Sequence, residues 1–390
     1  MILSEKESRI ADIKTEIIED SRGEETISVE VVLDSGAFGT CLVPQGKSKG
    51  KHEAVYVPAL EALKNIEKKI LPVLRSFGFN FQEELDDKLI NLDQAENKSH
   101  LGANAILGVS IAAGRARARD LGVEFWDYVR ENYGDAPRST PKILANLING
   151  GLHAENNLDF QEYMIIPRTD NFAESLKIIQ EVYSELGRRF GENAKRGDEG
   201  GFAPDFKDNI EPFRIIKDAI EELDYGERVD FGIDAAASDV KIPTVELFDF
   251  YDKLKKDFDI AYIEDPFSEE DFDNFRKLET LIGGNTMIVG DDLTTTNVKR
   301  MTLAYDKQAV NAVIVKPNQI GSLTETLKAV RLARDYGWAV IISHRSGETM
   351  DDFISDIAWA VGAEGIKIGS PSQPERLAKY QRLLDIQNPS

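Results

Sequence analysis

Six polar residues in the second half of the chain, Asp234, Glu264, Asp291, Lys316, His344 and Lys367, stand 30, 27, 25, 28 and 23 residues apart. Each ends or follows a short apolar run: VDFGID, IAYIED, MIVGDD, AVIVKPN, AVIISHRS and GIKIG. Three carboxylates brought together destabilise one another unless a cation neutralises them, and an all-oxygen set without cysteine or histidine suits Mg²⁺. Taken singly, each reads as a helix cap or a surface ion pair. Three in one register make a metal site the stronger reading. Beside such an ion, like-charge repulsion is expected to lower the pKa of Lys316 and Lys367, and a neutral amine is a competent base.

Further groups point to the same chemistry. RGDEGGFAP sets Asp198 and Glu199 among glycines, LDFQEY supplies Glu162, and Arg345 with Ser346 offers a planar fork and a hydroxyl suited to a phosphoryl group. Of the four histidines, His52, His153 and His344 lie in loop-like settings and not on apolar helix faces. A divalent metal, an amine base, a carboxylic acid and a phosphate clamp together read as proton abstraction next to a carboxylate.

The spacing of these residues also says what must hold them. A strand plus a returning helix takes about 25 to 30 residues, so the rhythm is that of repeated βα units with right-handed crossovers. Two earlier runs, ILANLINGG and EYMIIP, bring the strands to eight, enough to close a barrel whose strand ends meet at one mouth. A doubly wound open sheet is the alternative, and it leaves some of those ends far apart. Before the barrel, residues 10–45 alternate apolar and polar positions as an antiparallel meander, and residues 53–130 have helical periodicity. The expectation is an α/β chain with an α+β cap over residues 1–130, the turn-rich YGDAPRSTP, and a barrel over 138–390.

Composition narrows the partners. The 390 residues carry 47 Lys and Arg against 69 Asp and Glu, a net charge of −22 that repels nucleic acid and acidic membranes. Cys41 is the only cysteine, so no intrachain disulfide can form. No apolar run has the length of a signal peptide or a membrane span, and a cytoplasmic location is expected.

The segment VPQGKSKGKHEA, residues 43–54, ends a Gly-Lys-Ser triplet like that of a P-loop, but Cys41 stands where that motif needs its first glycine. What remains is a basic, glycine-containing loop able to approach an anion.

The motifs running through the chain resemble the enolase family. They are DSRG from Asp20, the loop at residues 44–54, LGANAILGVS from Leu101, NGGLHAENN from Asn149, QEYMI from Gln161 and GDEGGFAP from Gly197, followed by GIDAAAS, IEDP, GDDL, VKPNQIGSLTET, ISHRSGET, IKIG and ERLAKY. The resemblance implies a modified eight-stranded (β/α) barrel under an N-terminal α+β cap, and reversible dehydration of 2-phosphoglycerate to phosphoenolpyruvate. It also implies a homodimer or higher homo-oligomer. On matching positions, Lys316 would be the base and Glu199 the acid, aided by Glu162. Asp234, Glu264 and Asp291 would hold the first Mg²⁺, while Ser48 would reach a second. His153, Gln161, His344, Arg345, Ser346 and Lys367 would meet a small phosphorylated carboxylic acid.

This sequence departs from the family pattern at Gln45, Lys47, Lys49, Leu152, Ile368 and Gln373-Pro374, and the segment between Asp234 and Glu264 is short. Those changes leave open a related phosphorylated or phosphonylated hydroxy acid as substrate, and, less favoured, a non-catalytic scaffold. They also raise the expectation that Lys47 or Lys49 supplements or replaces the second metal.

Overall fold

The computed structural model describes residues 7–47, 50–137, 139–191 and 193–388. Its first part is an antiparallel sheet, ordered β3-β2-β1-β4, of β1 (Ser8–Glu19), β2 (Glu25–Leu33), β3 (Phe38–Leu42) and β4 (Gly78–Phe79). Alternation in ETISVEVVL buries Ile27, Val29, Val31 and Leu33 on one face. Against that face lies the helix Ala103–Leu121, whose small residues allow a close approach and which stops at Gly122 with φ +71°. The contact is tightest at Gly39, where a Cβ would sit 2.3 Å from Ala112 O and 2.4 Å from Ala116 N.

The second part is a closed barrel of β5 (Lys142–Asn149), β6 (Glu162–Pro167), β7 (Val229–Asp234), β8 (Tyr262–Glu264), β9 (Met287–Gly290), β10 (Ala312–Val315), β11 (Ala339–Ser343) and β12 (Gly365–Lys367). The eight strands close as the spacing predicts, and the open sheet is excluded. One strand departs from the regular βα rhythm: β6 runs antiparallel to both β5 and β7. Between β5 and β6 the only element is a 3₁₀ turn, Gly151–His153, with no helix to make the usual parallel crossover. The reversal puts the first residue of β6, not its last, at the mouth, so Glu162 pairs with Asn149 on one side and Asp234 on the other. No helix among the described residues is long and apolar enough to cross a membrane.

Candidate active site

Strand register assembles the carboxylates. Asp234 is paired with Glu264, and Glu264 with Val289, two residues before Asp291. Lys316 directly follows β10, and Lys367 ends β12 opposite Ser343. A cavity of about 40 Å³ is lined by Asp234, Asp291, Lys316 and Lys367 together with His153, Gln161, Glu162, Glu199, His344, Arg345 and Ser346. Glu264 is fully buried and reaches this set through Lys367. Ser48, expected at a second metal, and Lys49 lie outside the described residues.

Lys367 Nζ stands 2.8 Å from Asp234 Oδ2, 2.8 Å from Glu264 Oε2 and 2.9 Å from Glu162 Oε1. Burial opposes its charge, yet Asp234, Glu162 and Glu264 hold its pKa well above the usual lysine value. Lys316 Nζ bonds to Asp291 Oδ2, and there too burial is outweighed, chiefly by Asp291, so its pKa is raised. The depression expected from sequence belongs to a site that holds a divalent ion; without one, each amine faces chiefly carboxylates of the protein itself, which favour its charged form.

The donor set fits a divalent metal. Eight acidic side chains line the cavity against three basic ones, Lys316, Arg345 and Lys367. Glu264 Oε1 is buried with no hydrogen-bond partner among the described residues. Asp234, Glu264 and Asp291 offer only oxygen, which suits a hard cation. Asp291 is also part of a tight group with Asp265 and Asp292, whose oxygens lie within 4.8 Å of one another. Asp265 spends both of its oxygens on backbone amides, those of Asp291 at 3.0 Å and Asp292 at 2.7 Å, which makes it a brace for the end of β9. Gln319 Nε2 donates to Asp291 Oδ1 and Gln161 Nε2 to Asp234 Oδ2, each at 3.0 Å, fixing the outer carboxylates.

Across the cavity, Glu199 lies 3.5 Å from His153 Nδ1 and 3.6 Å from His344 Nε2, and accepts from Asn146 Nδ2 at 3.1 Å. Arg376 Nη1 donates to His344 Nδ1 at 2.6 Å, which assigns the proton of the neutral ring to Nε2, on the Glu199 side. Burial and Arg376 keep the His344 pKa well below its usual value. Glu162 and Glu199 behave as a pair, with oxygens within 4.8 Å. Burial, then Glu199, raises Glu162 far above the carboxylate range; burial also acts on Glu199 but is outweighed by His153, His344 and Lys367, so Glu199 stays low.

Two family models match the chain: "Enolase, N-terminal domain" over residues 10–129, and "Enolase, C-terminal TIM barrel domain" over 138–389. The chain belongs to the enolase family. A curated relative named "Enolase", from Methanopyrus kandleri, is 42% identical over 97% of this chain and 95% of its own length. A lyase of the enolase type follows, and the scaffold reading is set aside.

In this enolase the phosphate-clamp candidates are braced from a loop that sequence reading underused. Glu53 pairs with Arg345 through both guanidinium nitrogens, at 3.0 and 3.1 Å, and lines the cavity. Glu53, Asn146, Asp265, Asp292 and Gln319 were all missed as site residues. The available signals were modest: the second acids of IED and GDD, and a glutamate in the basic loop.

The departures from the family pattern mostly turn away from the cavity. Gln45 Nε2 donates to Asp20 Oδ2 at 3.1 Å and to Glu25 O at 3.2 Å, and Leu152 is 51% exposed. Ile368 is packed in the apolar core, and Gln373 Nε2 donates to Asp198 O at 3.1 Å. Lys47 Nζ pairs with Asp198 at 2.8 Å.

Proposed function

We propose that this enolase catalyses the reversible, Mg²⁺-dependent dehydration of 2-phosphoglycerate to phosphoenolpyruvate. One observation carries the reading: Lys316, Glu199 and Arg345 with Ser346 line a single cavity that also holds the excess of carboxylates. Asp234, Glu264 and Asp291 would hold the metal, which when bound supplies positive charge against a substrate carboxylate and so offsets the charge that builds as a proton leaves. With Asp291 engaged by the metal, Lys316 would lose the partner that holds it as an ammonium in this structure, and as the neutral amine it takes the proton from the α-carbon at Nζ. Glu199 delivers a proton to the departing hydroxyl, with Glu162 as the neighbouring store. Lys367 adds fixed charge beside the substrate carboxylate, and Arg345 and Ser346 receive the phosphate. His153, Gln161 and His344 orient what enters.

The reading extends to a cap over residues 1–130, a barrel over 138–390, a place in glycolysis or gluconeogenesis, a cytoplasmic location and a homodimer or higher homo-oligomer. Ser48 at a second Mg²⁺ belongs to the same proposal. The outward turn of Gln45 and Leu152 favours 2-phosphoglycerate over a phosphonylated relative. Following phosphoenolpyruvate by ultraviolet absorbance, with Mg²⁺ and with a chelator, tests it. Turnover that needs Mg²⁺ is expected; no turnover of 2-phosphoglycerate would overturn the assignment.

A further inference from the structure

Lys47 reaches three separate segments of the mouth. Its amide donates to Ser346 Oγ at 2.8 Å, and its ammonium donates to Asp198 Oδ2 at 2.8 Å and to Leu152 O at 2.9 Å. Asp198 N in turn donates to His153 O at 3.0 Å. The ammonium therefore sits where the segments carrying His153 and Glu199 meet, and each atom it holds lies one residue from a side chain that lines the cavity. Lys47 itself does not line the cavity. Its role is toward protein groups and not toward substrate.

The strength of this tie is modest. The Lys47 side chain is 49% exposed and that of Asp198 is 25% exposed, so water and salt screen the pair. Pairs of this kind shift an equilibrium by a factor of roughly 2 to 5. A weak tie fits the size of the cavity. At about 40 Å³, room for roughly three waters, it is small beside a phosphorylated three-carbon acid, and a tie that gives way readily suits the entry of one.

We propose that Lys47 is a positioning residue that gathers the 151–153 and 197–201 segments against Ser346, so that His153 and Glu199 reach their places together when the mouth shuts. Only the kinetic part of the test rests on the proposed function. Hydrogen exchange in the ligand-free full chain reads the tie directly. In Lys47→Ala and in Asp198→Asn, the amides of residues 47 and 198 should exchange about 2 to 5 times faster, and the double variant no faster than either single one. Lys47→Arg should stay within about twofold of the unaltered chain, and 0.5 M salt, roughly half the salt at which a Debye length falls to 3 Å, should speed exchange in the unaltered chain but not in Lys47→Ala.

With 2-phosphoglycerate, Lys47→Ala should raise KM by roughly 2 to 5 times without lowering kcat, and Lys47→Arg should restore it. Equal exchange in Lys47→Ala and the unaltered chain, additive effects in the double variant, or a fall in kcat beyond about tenfold, the mark of lost transition-state contact, would overturn the proposal. If the unaltered protein does not turn over 2-phosphoglycerate, the functional reading falls and the exchange measurement still decides the role of Lys47.

Discussion

The cap and the barrel mouth bury opposite kinds of side chain. Along the cap helix Ala103–Leu121 the buried polar residues are Asn104, Ser110 and Arg117, set among alanines, glycines and branched aliphatics. At the mouth the buried groups include Glu162, Glu199, Asp234, Glu264, His344 and Lys367. Burying apolar area stabilises a fold at about 25 cal/mol per Å², whereas a buried charge costs several kcal/mol unless paired. The mouth persists because two lysines distribute their charge over the carboxylates. The comparison teaches where each kind of change should register: at the mouth in rate, in the cap in stability.

The largest effect tests the mouth. Lys316→Ala should abolish exchange of the substrate α-proton with deuterated water, a loss of about 10² to 10⁴ or more in the folded protein. Persistent exchange removes Lys316 from the role of base. Glu199→Gln keeps the shape but cannot donate a carboxylic proton, so dehydration should fall by about 10² to 10³ while some α-proton exchange survives. Equal loss of both would place Glu199 earlier in the reaction.

The cap should answer differently. Gly39→Ala drives a methyl group into the backbone of Ala112 and Ala116, which no rotamer change can relieve. A destabilisation of about 1 to 3 kcal/mol is expected in denaturant titrations, with KM and kcat of the folded fraction unchanged. A loss of activity at full folding would mean that the cap shapes the mouth more directly than its packing implies.

How much of this was legible beforehand follows from the same contrast. The barrel could be read because each strand from β7 onward is an apolar run closed by a polar residue at a near-constant interval. The direction of β6 could not, since EYMIIP is equally apolar whichever way it runs; only the connection before it, which lacks an α-helix, decides. The residues that act through strand ends were legible for the same reason as the barrel. Glu53 was not, because its meaning lies in a partner 292 positions away, Arg345. The ion pairs of the two lysines were not legible for a related cause: they depend on which carboxylates the neighbouring strands bring up, as Asp291 after β9 meets Lys316 after β10. That is a property of register, and neighbours in sequence do not show it.

The smallest effect bears on substrate identity. Gln45 and Leu152 both sit in segments that reach the mouth, and in the enolase pattern serine is usual at each. If either side chain shaped the ligand, restoring serine would change which acid binds. The geometry argues against that. Gln45 is bonded to Asp20 and Glu25, its backbone forms a bridge with Gly347, and Leu152 points to solvent while its carbonyl accepts from Lys47. A backbone contribution survives a side-chain change and neither side chain lines the cavity, so the double variant Gln45→Ser with Leu152→Ser should keep KM for 2-phosphoglycerate within about twofold. Competition by a phosphonate analogue should be equally unaffected. A rise in KM well beyond that range, or a new preference for the phosphonate, would show that these two positions select the substrate and that the outward side chains seen here swing inward when it binds.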